Sequence, residues 1–159
     1  MKSFFHRKKF WISVGSLAIV SVFGVFGWFL FLQRNVHFPE GVYIGKQLYT
    51  LEYALTKEEQ SRGLGGRESL CQTCAMAFPF IVPGRPAFWM EGMRFPIDIM
   101  WVSSDGSVVD IARRISPDSR ELYRPEELAT LVLEFNAGIL DSVMVGEKLR
   151  FFIPIPMSL

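Results

Sequence analysis

Two acidic residues sit where acids are costly. Asp98 falls in the run Ile97–Val102 and Glu134 in Thr130–Phe135, each flanked by Ile, Val, Leu, Met or Phe. A carboxylate among such neighbours needs a partner, or its pKa rises. Arg62 and Arg67 are the nearest candidates along the chain, and Trp89 and Met90 offer apolar walls. Gathered together, Arg62, Arg67, Trp89, Met90, Asp98 and Glu134 would form a ligand-binding pocket. In an enzyme, Asp98 and Glu134 would be the catalytic candidates: paired carboxylates perform acid–base or glycoside chemistry, and an indole face stacks on sugars. The plainer alternative gives each carboxylate its own structural arginine, tying a short helix to a sheet. No His or nucleophile joins the set, and structural pairs also perturb pKa values, which favours the plainer alternative.

Those side chains must be held by particular elements. Leu48–Leu55 alternates, with Tyr49, Leu51, Tyr53 and Leu55 on one face, which predicts a half-buried strand. Thr56-Lys57-Glu58-Glu59 is a capping box that opens a helix of two turns, and Gly63 stops it. Met76–Phe80, Ala87–Met90, Ile97–Val102 and Val108–Ile115 are short runs of β-forming residues. Ser103-Ser104-Asp105-Gly106 joins the last two as a hairpin turn. Lys148–Ile153 should close the sheet before Pro154 and Pro156. Thr130–Phe135 fits helix or strand by period alone; as a strand, Glu134 shares a face with Val132, while Leu131, Leu133 and Phe135 line the other. The expected class is mainly β (α+β), a small barrel or sandwich with one or two short helices.

Several strings occur in order: Arg62-Gly63-Leu64 with Arg67, Met76-Ala77-Phe78, Phe88-Trp89-Met90, Pro96-Ile97-Asp98, and Val132-Leu133-Glu134-Phe135-Asn136-Ala137-Gly138. Over about residues 48–152 the chain resembles the domain-of-unknown-function family numbered 192. That resemblance implies a small β barrel or sandwich and favours the strand at 130–135. It implies no activity, since the family has no agreed one. Ala75-Met76-Ala77-Phe78 stands where the family usually has Gly-Met-Leu-Phe, and Gly146-Glu147 where it usually has Gly-Asp.

Ahead of that domain lies a different kind of segment. Phe10–Leu32 is 23 residues without a charge. As a helix it would reach about 34 Å, enough for a hydrocarbon core of roughly 30 Å. Trp11 and Trp28 lie near its ends, at headgroup depth. The run exceeds a signal-peptide apolar core, and no small-x-small cleavage site follows it, so an uncleaved signal-anchor is expected. Lys2, Arg7, Lys8 and Lys9 precede it and only Arg34 trails it closely, which keeps the N-terminus cytoplasmic. The resulting organisation is a basic tail (1–9), a transmembrane segment in the inner membrane (10–32), a tether (33–47), an extracytoplasmic β domain (48–153) and a C-terminal tail (154–159). Residues 35–159 carry twelve basic and sixteen acidic side chains, a net of −4 in a chain whose total is +1, which argues against nucleic acid as a partner.

In that compartment Cys71-Gln72-Thr73-Cys74 reads as a disulfide. Half a zinc site has no second half here, because His6 and His37 lie in the tail and tether. Pro79, five residues past Cys74, is similar to the thioredoxin spacing and keeps a thiol–disulfide role open. Met76, Met90, Met93 and Met100 beside Trp89 would suit Cu(I), but methionine is more often core filler. No metal or cofactor is expected. The sequence thus points to an anchored module that binds or scaffolds a small ligand or envelope component. The alternatives are a hydrolase acting on an envelope glycan through Asp98 and Glu134, and a thiol–disulfide protein.

Overall fold

A computed structural model describes residues 38–154; the expected tail, membrane segment and first part of the tether, and residues 155–159, lie outside the described residues. Seven strands and one helix follow in order: β1 (Gly41–Ile44), β2 (Gln47–Tyr53), α1 (Lys57–Arg62), β3 (Cys74–Gly84), β4 (Ile97–Val102), β5 (Val108–Ile115), β6 (Ala129–Asn136) and β7 (Arg150–Phe152). They form one mixed sheet in the order β5-β4-β6-β3-β2-β1-β7, curled into a half-barrel. All pairings are antiparallel except β2 with β3, whose connection carries α1. A parallel pair requires such a crossover.

The two edge strands nearly meet at one end. Ser107 bridges Lys148. Val108 donates to the Glu147 carbonyl at 2.8 Å, Gly146 to Val108 at 2.7 Å, and Leu149 to Gly106 at 2.9 Å. These bonds occupy backbone groups that an open edge would expose. Closure therefore comes from the turn before β7, while β7 itself pairs with β1.

Both faces of the sheet are covered, which decides the burial pattern. The inner face packs Val42, Ile44, Tyr49, Leu51, Met100, Val102, Leu133, Phe135 and Leu140. The outer face packs Met76, Phe78, Ile97, Ile99, Trp101 and Val132 under Leu64, Leu70 and Met90. All six residues of β4 are buried as a result. A strand covered on both sides loses its apolar–polar alternation.

Several expectations are met residue for residue. β4 and β5 have the expected bounds, Gly106 takes the positive φ of the turn (86°), and Thr130–Phe135 lies wholly in β6. Thr56 caps α1: its hydroxyl accepts from Glu59 N at 3.1 Å, and the Glu59 carboxylate accepts from Thr56 N at 2.9 Å.

Others are corrected. The tether stops short of residue 47, because Gly41–Ile44 is a strand that β2 and β7 flank. Leu55 leaves the strand and is exposed, since β2 ends at Tyr53 and the cap begins. Ala87–Met90 makes no strand. Only Phe88 bridges Tyr123, and the segment is a strap across the outer face. Phe88 sets its ring edge-on to Phe78 at 4.9 Å and to Trp101 at 6.2 Å, and Trp101 Nε1 donates to the Pro86 carbonyl at 3.0 Å. Aromatic packing and an indole bond take the place of a ladder there. β3 runs past Phe80 to Gly84 through a bulge between Pro79 and Gly84 that leaves Ile81 and Val82 exposed. Proline lacks the ladder N–H, and bulges accommodate it. Among the described residues no helix is long and apolar enough to cross a membrane.

Candidate functional site

Strand pairing decides the fate of the two carboxylates. In the β4–β6 ladder Asp98 stands opposite Phe135, and Ile99 opposite Glu134. Cross-strand partners share a face, so Asp98 points to the inner face and Glu134 to the outer one. The expected common pocket is not formed, and paired-carboxylate catalysis on a glycan loses its geometry. The two residues have separate jobs.

Asp98 is fully buried and fully engaged. Its Oδ1 accepts from Arg114 N at 2.7 Å, and its Oδ2 accepts from Gly138 N and Leu140 N, each at 2.9 Å. No arginine side chain makes these bonds: the partners are backbone groups. Two of them sit in unusual conformations, Arg114 at φ 52° and Gly138 at φ 91°. Asp98 therefore pins the β5 irregularity and the turn after β6 to the barrel interior. The Arg114 guanidinium pairs instead with Asp141 at the surface.

Glu134 is also buried, at 4 % exposure, but it is not satisfied. Its Oε2 has no hydrogen-bond partner among the described residues. Burial pushes its carboxyl up to about 8, and the Arg67 charge pulls back only weakly. Arg67 is committed elsewhere, with Nη1 2.8 Å from Glu52 Oε2. The expected Glu134–arginine pair is thus absent, because a half-exposed acid captures the guanidinium.

Above Glu134 opens a cavity of about 370 Å³. Phe78 and Phe80 of β3 and Phe88, Trp89 and Met93 of the strap supply apolar walls; Lys57, Gln60 and Arg62 of α1 and Glu91 of the strap supply polar groups. No residue of α1 is buried, so a polar helix face overhangs an apolar floor. Gly63 makes the descent possible: its φ is 50°, and a Cβ there would lie 3.5 Å from Phe78 Cζ and 3.7 Å from Glu134 Oε2. Any side chain at 63 would be strained by that φ, while its Cβ would make only ordinary contacts with the floor.

Of the expected ligand-binding residues, the structure brings Arg62, Trp89 and Glu134 to this cavity. Trp89 is 58 % exposed at its mouth, whereas Met90 is core. Arg67 lies near without lining it, and Asp98 is on the other face. The four methionines do not converge either, since Met100 packs inside the barrel while Met76 and Met90 pack outside. Lys57, Gln60, Phe78, Phe80, Phe88 and Met93 were not foreseen. Phe78 carried a readable signal, because it shares strand parity with Met76, which faces Glu134 in the ladder. Cys71 and Cys74 form a disulfide in the turn leading into β3, and Asn136 Nδ2 fastens that turn by donating to the Leu70 and Cys71 carbonyls, each at 3.1 Å.

These parts are built from the same strings singled out in the sequence: 62–64, 76–78, 88–90, 96–98 and 132–138. The family model described as DUF192, Uncharacterized ACR, COG1430, matches residues 42–151. The chain belongs to the DUF192 family. Two solved structures resemble this DUF192 chain. One is a proposed transcription regulator from Sinorhizobium meliloti 1021, 25 % identical with a TM-score of 0.64, the match covering 70 % of this chain and 90 % of that one. The other is a protein of unknown function from Novosphingobium aromaticivorans DSM 12444, 28 % identical with a TM-score of 0.65, covering 70 % and 83 %. No curated protein matches the chain.

Proposed function

We propose that this DUF192 protein is a membrane-anchored, extracytoplasmic module that binds a small ligand in the cavity floored by Glu134. The observation that carries the binding reading is the orphaned Oε2 of a buried carboxyl at the bottom of an apolar cavity. Buried polar atoms are almost always satisfied in folded proteins. A cavity of this size with few convergent polar groups is the common form of a small-molecule site. Anchoring is supported by the uncharged span 10–32 and its basic flank. The acid excess of residues 35–159 weighs against proposing nucleic acid as a partner of this chain.

Trp89 reports on the cavity mouth. In a screen of small-molecule fragments against the full chain in detergent micelles, the expected result is a saturable change in tryptophan fluorescence that Trp89→Phe abolishes. A screen without any saturable response would remove the binding reading.

Topology has its own test. After mild reduction of intact cells with the outer barrier opened, a membrane-impermeant thiol reagent should label both Cys71 and Cys74. Labelling only after lysis would mean a cytoplasmic domain. Recovery of soluble exported protein beginning near residue 30 would mean a cleaved signal peptide.

A further inference from the structure

We infer that the Glu134 cavity takes a small zwitterion, whose protonated primary amine donates to Glu134 Oε2 and whose anionic group meets Lys57 and Arg62 at the rim. This rests on the cavity being a ligand site and names the class of ligand. The floor sets the first half. Oε2 is buried and lacks a donor, and the floor around it offers none, since Phe78, Phe80 and Phe88 present only ring atoms. A ligand that satisfies Oε2 must bring its own donor. Aromatic walls favour a cationic donor over a neutral one, because ring faces attract an ammonium, most strongly where water is excluded. A primary ammonium has the three N–H groups needed to bond as well as pair; a quaternary one has none.

The rim sets the second half. Lys57 and Arg62 come from the two ends of α1 and are exposed at the mouth, and Glu91 of the strap stands there too. Two cations against one acid leave the mouth positive, which repels a simple amine and suits a phosphate or carboxylate a few atoms from it. The other cation near Glu134 is Arg67, which is held by Glu52 and adds only weakly to the field. Aminoalkyl phosphates have this layout. They occur both as free solutes and as lipid headgroups.

Proton release distinguishes this ligand class. The empty site holds Glu134 protonated near neutrality, since its carboxyl titrates at about 8. An ammonium at Oε2 favours the ionised form and expels that proton. We would titrate the full chain in detergent micelles with O-phosphoethanolamine at pH 7, using calorimetry in two buffers of different ionisation enthalpy. The expected result is saturable binding with release of close to one proton per site, and no proton release with sulfate, an anion that carries no titratable proton at pH 7. Glu134→Gln should weaken binding at least tenfold and abolish the release. Lys57→Ala with Arg62→Ala should weaken O-phosphoethanolamine at least tenfold while ethanolamine binds as well as or better than to the wild type, a result independent of how the floor variant folds. Micelle-borne phosphatidylethanolamine competing tenfold better than the free solute assigns the source to lipid, and the reverse assigns it to a solute. Binding without proton release, or unchanged in Glu134→Gln, overturns the inference. Uncharged fragments that perturb Trp89 while amines do not overturn it and leave the cavity as a ligand site. No response to any probe overturns both.

Discussion

Asp98→Ala is expected to lower the unfolding free energy by about 4 kcal/mol, a large share of the stability of a domain this size. Three backbone N–H groups lose their acceptor at once: Arg114, Gly138 and Leu140. An orphaned buried donor costs about 1–3 kcal/mol, and three are orphaned together. Arg114 holds a positive φ in addition, so the released β5 segment has more favoured conformations to relax into. Domains of this size are stable by only about 5–15 kcal/mol in total. Asp98→Asn should fall between, because one amide oxygen still accepts while the NH₂ group faces donors. Urea unfolding of the wild type and both variants measures the effect. A loss under 1 kcal/mol in Asp98→Ala would mean that the three bonds are not what holds the β5 and 137–140 segments.

Glu134→Gln is expected to act in the opposite sense. The folded-state pKa of Glu134, about 8, lies above its ordinary value of 4.5. Below pH 4.5 both folded and unfolded chains hold the proton, and the group adds no pH dependence. From pH 4.5 to 8 the unfolded chain ionises while the folded one does not, so stability falls, and the loss levels off above 8. Each pH unit in that window favours the unfolded chain about tenfold, so the whole fall is on the order of 5 kcal/mol. The groups facing the carboxyl are Lys57, Arg62 and Glu91 at the cavity and Arg67 with its partner Glu52. None supplies a direct bond that would offset the burial. Glutamine keeps the shape without the titration. Urea unfolding at pH 5 and pH 8.5 should therefore show the variant gaining several kcal/mol relative to wild type as pH rises. Parallel curves for the two proteins would mean that Glu134 is ionised and paired in the folded state.

Opposite outcomes at two buried acids follow from what each carboxylate meets. Asp98 meets three donors fixed by its own strand's neighbours, so its burial is compensated and both of its oxygens are engaged. Glu134 meets methionine, isoleucine and phenylalanine, so its burial is uncompensated and the site stays open to an incoming donor. That difference separates a structural acid from a candidate ligand contact. It also explains why Asp98, with both oxygens bonded to backbone groups on the inner face, does not join Glu134 in a shared catalytic pair.

Local order was legible along the chain. Period-2 alternation set β2, β-branched runs between turn residues set β4 and β5, and Asp105-Gly106 set the turn between them. Thr56 and Glu59 fixed the start of α1, because both capping bonds are made within four residues. The strap 87–90 misled for the complementary reason. Its aromatic content is that of a strand, but its partners are the Phe78 and Trp101 rings, remote in sequence.

What the residues determined by themselves was which side chains share a face within one strand, and that two acids would be buried. Alternation along a strand is a property of its own backbone, and so it can be counted in the sequence. Whether two strands present their acids to the same face depends on the register between them, and a slip of one residue reverses the answer. Here β6 pairs with β4 so that Glu134 meets Ile99 and not Asp98. Only tertiary structure decided that, by burying two different apolar sets at once, Leu133 and Phe135 inside the barrel and Val132 beneath the strap. The same packing gave Arg67 to Glu52 and left Glu134 without a partner, because an ion pair goes to the acid within reach and not to the one that needs it most.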